Sequence, residues 1–182
     1  RYLPISLFDA DQEYLALSAQ SILAGKLSLL GAPTSVGGMF VGPLYNYLIA
    51  FLFWLFDGNP LTINGLSFFW ATLTIPAIYL VTKRLFDKTA AFFAALCALI
   101  STNFIDHSEI PPLLFALPLI TTTFIEIAAS QLSKPKKSFI LGTLAGLALN
   151  LHFTGIFFFP LLFFFGWQWL IPFSLLISPL LF

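Results

Sequence analysis

Residues 61–88 read LTINGLSFFWATLTIPAIYLVTKRLFDK, and this stretch decides the fold. No charged side chain interrupts it from Leu61 to Val81, long enough for the roughly 20 residues with which a helix crosses a bilayer. Lys83, Arg84 and Lys88 follow at once, as they do where a span leaves the membrane on its cytoplasmic side. The composition agrees. Of 182 residues, 59% are hydrophobic and 9% charged, against about 25% charged in a soluble domain. The chain therefore reads as an integral membrane protein, all-α, a polytopic bundle whose 23 phenylalanines serve lipid-facing surfaces. A formal net charge of zero gives nucleic acid nothing to bind. Cys97 is the single cysteine, which excludes an internal disulfide and argues against a thiolate metal site. Its apolar surroundings predict a buried, inert thiol.

Downstream, Thr89 to Phe104 crosses back to the polar turn NFIDHSEIPP, and Ile110 to Ser130 crosses again towards Lys134-Pro135-Lys136-Lys137. Ser138 to Asn150 and Thr154 to Phe165 read as two short helices meeting around His152. Gly166-Trp167-Gln168-Trp169 reads as an aromatic interface anchor before a last helix. Upstream, residues 1–8 read as the exit of a preceding helix. Asp9 to Ala24 is a surface helix, with Asp9 or Asp11 suited to the cap, Gly25-Lys26 at the end, and Leu15, Ala19, Ile22 and Leu23 on one stripe. The run GAPTSVGGMFVGPLYNY follows at 31–47, and Leu44 to Phe56 is too short to span, so it is read as interfacial or re-entrant. The expectation is one transmembrane domain over 1–182, with 1–60 an outer loop carrying surface helices and 61–182 the transmembrane helices. Both ends read as internal to a longer multi-span protein.

Six of the eight basic residues lie in the two connections Lys83/Arg84/Lys88 and Lys134/Lys136/Lys137, which two crossings separate and which belong in the cytoplasm. The same parity puts Asp9, Asp11, Glu13, the loop from Gly31, Asp106, His107, Glu109 and His152 on the outer side. Within DADQE, Asp9 and Glu13 share a helix face and Asp11 points about 200° away. One of these acids could serve as a general base, with another holding a cation or a sugar hydroxyl; acids at a helix start also simply answer its dipole. Asp106-His107-Ser108-Glu109 is either chemistry or a polar turn, and fits no closed zinc pattern. His152 is either a functional group near the membrane or a hairpin residue facing water. Glu126 is read as snorkelling or pairing with Lys134. Tyr45, Tyr47 and Trp54 could stack on a sugar or a headgroup, or be interface aromatics. Thr34, Ser35 and the amides of Gly37 and Gly38 could hold a phosphate, although without a P-loop lysine a nucleotide is not supported. No metal site is expected, and a divalent cation is the one cofactor left open.

Five segments in order resemble the C-type (GT-C) membrane glycosyltransferases, in the bacterial branch of aminoarabinose transferases and protein O-mannosyltransferase-like enzymes. They are DADQEYLALSAQSILAGKLSLLG, GPLYNYLIAFLFWLFDGNP, YLVTKRLFDK, HSEIPPL and GTLAGLALNLHFTGIFFFP. One subgroup is also similar across GAPTSVGGMFVGPLYNYL. The resemblance implies an inverting transfer from a polyprenyl-phosphate-linked sugar to a lipid, glycan or protein acceptor, at the outer face of a prokaryotic inner membrane. It assigns the general base to Asp11, ahead of Asp9 and Glu13, and turns His152 towards the lipid phosphate. The family commonly has adjacent Asp-Glu, where this chain interposes Gln12. A transporter or lipid-carrier flippase built on broken helices, and a non-catalytic membrane subunit, are the other readings.

Overall fold

In the computed structural model, which describes residues 10–33, 40–101 and 112–177, the deciding stretch is a single helix, α3 (Leu61–Leu85). Its 25 residues reach roughly 37 Å at 1.5 Å per residue, more than the hydrocarbon core of about 30 Å. Among the described residues it is the one helix long and apolar enough to cross a membrane. Before it come α1 (Ala10–Leu23) and α2 (Leu44–Leu55). After it come α4 (Lys88–Ile100), α5 (Pro112–Ala128) and α6 (Lys134–Leu151). A composite segment follows, made of a 3₁₀ turn (Phe153–Phe158), the short α7 (Phe159–Leu162) and a second 3₁₀ turn (Phe163–Phe165); α8 (Leu170–Ile177) ends the described chain. No β-strand occurs among the described residues; the nearest approach is a single bridge between Pro33 and Phe40.

The ends of these helices follow local chemistry. Gly25 has φ +84°, and its N–H and that of Lys26 bond the carbonyls of Ile22 and Ser21, the two bonds of a Schellman stop. α2 stops where Asp57 and Gly58 both take positive φ. Asp87 caps α4 by accepting from the Ala90 N–H at 2.8 Å.

Packing divides into two buried clusters that meet along α5. Leu15 and Ala19 of α1, Ile49 and Phe53 of α2, Ile63 of α3, Ala116 of α5 and Leu151 of α6 form the first. Phe124 of α5, Leu141 and Ala145 of α6, Leu162, Trp169 and Phe173 form the second. α3 lies against both α4 and α5, while α6 lies against α5, α8 and the composite segment.

The two basic connections meet at one end of this bundle. Arg84 pairs with Glu126 at 2.6 Å and donates to the Ala129 carbonyl at 3.0 Å. Lys137 donates to the carbonyls of Ala128 and Ser130 at 2.9 and 2.8 Å. Two cations thus fill the open C-terminus of α5, where the helix dipole is negative.

Several expectations are corrected. Glu126 pairs with Arg84 rather than Lys134, because α3 lies alongside α5 and delivers the guanidinium there. The Ser138–Asn150 helix starts at Lys134, since Pro135 suits a first helical turn, and the Thr154–Phe165 partner is broken into 3₁₀ and α pieces. Trp169 is 3% exposed and packs edge-on against Phe159, Phe163 and Phe173, so Trp167 alone stands outward as an anchor. Cys97 is exposed on the outer face of α4, not buried, because Ala91 and Ala98 take the inward positions. The crossings expected for Thr89–Phe104 and Ile110–Ser130 are described only over α4 and α5, and residues 102–111 lie outside the described chain.

Candidate functional site at the loop end

At the end opposite the basic cluster, Asn150 organises the backbone. It sits in the last turn of α6 and is 3% exposed. Its carbonyl accepts from the Gly42 N–H at 2.9 Å, its Oδ1 accepts from the Leu44 N–H at 3.1 Å, and its Nδ2 donates to the Leu176 carbonyl at 2.9 Å. One amide therefore satisfies an orphan donor at the start of α2 and a carbonyl of α8. A buried amide with this full set of partners fixes three elements at once.

The contact needs Gly42. A Cβ there would fall on the Asn150 side chain, and a Cβ at Gly31 would fall on the Gly42 carbonyl. Gly31 and Val41 pair, N–H to carbonyl at 2.9 Å. The Tyr14 hydroxyl donates to the Gly31 carbonyl at 2.8 Å, and the Tyr47 hydroxyl to the Ser28 carbonyl at 3.0 Å. An unbroken path of contacts runs from the second turn of α1, through Gly31 and the 41–42 strand of chain, to Asn150. His152 lies two residues beyond.

Asp11 and Glu13 are both exposed in the first turn of α1, and Gln12 between them is 1% exposed. The helix starts at Ala10, so Asp11 belongs to the first turn rather than to the cap. The inserted glutamine has a physical reason: its position faces the core, where an ionised carboxylate would be costly. The two acids keep the solvent-facing positions on either side.

His152 closes α6 and opens the 3₁₀ turn. Its Nδ1 accepts from the Thr154 N–H at 3.2 Å and lies 2.9 Å from the Thr154 hydroxyl. An accepting Nδ1 makes Nε2 the protonated nitrogen of the neutral ring. Burial holds the imidazole below its ordinary value near 6.5. His152 is thus a neutral N–H donor at neutral pH, not a cation.

Beside this polar end lies an apolar crevice of about 220 Å³ between α2, α3, α5 and α6. Leu44, Tyr45, Trp70, Ala116, Ile120 and Leu151 are among its walls. Tyr45 is 1% exposed, so its ring belongs to the crevice wall and not to an open stacking platform, and burial keeps its phenol well above the usual range. Tyr47 is spent on anchoring the 26–31 turn. Trp54 is exposed. Asp9, Thr34, Ser35, Gly37, Gly38, Asp106, His107 and Glu109 lie outside the described residues. No group of three metal-ligating side chains occurs among the described residues.

Residues 41–176 match the dolichyl-phosphate-mannose-protein mannosyltransferase family. The chain belongs to that family. No curated protein and no solved structure matches the chain. As a member of the mannosyltransferase family it is a membrane-embedded glycosyltransferase of the GT-C type, working with a lipid-linked sugar donor and an acceptor. The family match begins at Val41, so it takes in Gly42, Asn150, His152 and the crevice. The acidic helix and the loop from Gly31 precede it.

Sequence reasoning gave no role to Asn150 or Tyr14, and noted Gln12 only as an interruption of the acidic pair. The signal for Asn150 was present: a lone amide in an apolar run needs a partner. Nothing in DADQE alone shows which of its residues faces inward.

Proposed function

We propose that this chain forms the outer catalytic end of an inverting glycosyltransferase that takes its sugar from a polyprenyl phosphate. Asp11 is the general base, with Glu13 and Asp9 the alternates. The base removes the proton from an acceptor hydroxyl or amine. That oxygen or nitrogen attacks the anomeric carbon, the bond from that carbon to the phosphate oxygen breaks, and polyprenyl phosphate departs with the electron pair. The His152 Nε2–H donates to a phosphate oxygen, and the crevice holds the first part of the lipid chain. Its volume suits part of a ligand rather than the whole, since complete sites run to about 300–1,000 Å³. Thr34, Ser35, Gly37, Gly38, His107 and Glu109 complete the substrate side of this reading, with Tyr45 contributing as crevice wall and Tyr47 through the 26–31 turn that it holds. The protein is multi-pass in a prokaryotic inner membrane, with this end outside.

The observation that supports the reading is the hydrogen-bonded path from Tyr14 through Gly31 and Gly42 to Asn150. It ties the acidic helix to the His152 turn beside an apolar crevice. The test is sugar transfer by the full-length enzyme carrying Asp11→Asn, with Asp9→Asn and Glu13→Gln alongside. Loss of the base is expected to lower kcat by about a hundredfold or more. Wild-type turnover in all three variants would remove the acidic cluster from the mechanism.

A further inference from the structure

At the basic end, a second groove of about 420 Å³ opens between the first two turns of α6 and the start of α8. Its walls are Leu132, Pro135, Phe139, Ile140 and Ile171, with Lys136 and Gln168 among them. Phe139 and Ile171 are 48% and 54% exposed, so apolar surface here faces outward instead of packing. The separation of the walls is fixed by Ser138, which is fully buried. Its Oγ accepts from the Trp169 N–H at 3.0 Å, holding the 166–169 turn against α6. Trp167 is 66% exposed on that turn, an aromatic of the kind that favours a membrane–water interface.

The charges around the groove differ in what they are already doing. Arg84 holds Glu126, and Lys137 holds the end of α5. Asp87 is committed to capping α4. Lys136 has no carboxylate partner among the described residues, and it is the charged side chain in the groove wall. Lys136 and Gln168 are therefore the polar side chains bordering an otherwise apolar groove, on the cation-rich end of the described bundle.

We infer that this groove is a binding site for an anionic glycerophospholipid. The Lys136 ammonium and the Gln168 amide meet the headgroup phosphate. The first part of one acyl chain lies on Phe139, Ile140 and Ile171. Basic pockets between helices on the cytoplasmic side select anionic lipids on these terms. The lipid closes the seam between α6 and α8 and acts as a structural partner. The inference rests on the membrane embedding of the family, not on the donor chemistry proposed above, so the failure of one leaves the other standing.

The experiment uses the full-length protein in nanodiscs of phosphatidylcholine with or without phosphatidylglycerol. Native mass spectrometry counts retained phosphatidylglycerol, and tryptophan emission follows thermal unfolding. Wild type is expected to retain the anionic lipid and to unfold at a higher temperature with it. Lys136→Gln is expected to reduce retention about fivefold, the worth of one lysine near an anionic surface. Lys134→Gln, exposed but outside the groove, retains the lipid. Inorganic phosphate, which has no chain, does not raise the unfolding temperature. Equal retention in wild type and Lys136→Gln overturns the site. So does an equal loss in Lys134→Gln, which means diffuse charge attraction, or full stabilisation by phosphate alone.

Discussion

His152 carries its role in one hydrogen bond. Its Nδ1 accepts from the Thr154 N–H, and a proton on that nitrogen would put two donors face to face. The folded chain therefore binds this proton more weakly than the unfolded chain, in keeping with the downward shift that burial imposes. The stabilisation is complete above the ordinary histidine value near 6.5 and is lost as pH falls through the lower folded value. Thermal unfolding is expected to show a drop in Tm below about pH 6.5 that is smaller in His152→Asn, since asparagine caps without titrating. An identical pH profile in the two proteins would contradict this. Asn150 carries more. Asn150→Leu leaves the part-buried Leu44 N–H and Leu176 carbonyl without their partner, with an expected cost of about 1 kcal/mol for each lost bond, read as a fall in Tm. Gly42→Ala should reproduce much of it, because the methyl group takes the space of the Asn150 amide. The sequence showed His152 and Asn150 as isolated polar groups. It could not show that one serves the backbone on both sides, because those partners lie 106 and 26 residues away along the chain.

Among the elements, the helices long enough to show their period were legible: α1, the short α2 and the crossing helix α3 stand where composition and length placed them. What was not legible is how they end and pair. Glu126 had a basic residue close in sequence, Lys134, and only the packing of α3 on α5 shows that Arg84 gets there instead. A different packing, that of the composite segment and α8 on α6, turned an expected interface anchor, Trp169, into core. The C-terminus of α5 is where this can be measured. Arg84→Ala and Lys137→Ala each remove a cation from a helix end, with an expected loss of about 1 kcal/mol apiece. The two residues share the carbonyls of one turn, so the double variant should depart from additivity. Strict additivity in denaturant unfolding would mean that the two cations act separately.

For the whole molecule, the bundle has two unlike ends. One gathers Arg84, Glu126 and Lys137 around the end of α5. The other gathers the acidic start of α1, the glycines at 31 and 42, Asn150, His152 and the mouth of the apolar crevice. The charge pattern of the sequence anticipated unlike ends for the described bundle, while residues 34–39 and 102–111 lie outside the described chain. The account stands on the acidic end facing away from the cytoplasm while the basic end faces it. Single-cysteine labelling decides this. With Cys97 and any other native cysteine of the full-length protein replaced by serine, Glu13→Cys and Lys136→Cys are treated with a membrane-impermeant maleimide in intact spheroplasts, before and after lysis. The prediction is that Glu13→Cys reacts in intact spheroplasts and Lys136→Cys only after lysis. Labelling of both positions from the same side, or in the reverse order, would contradict the account.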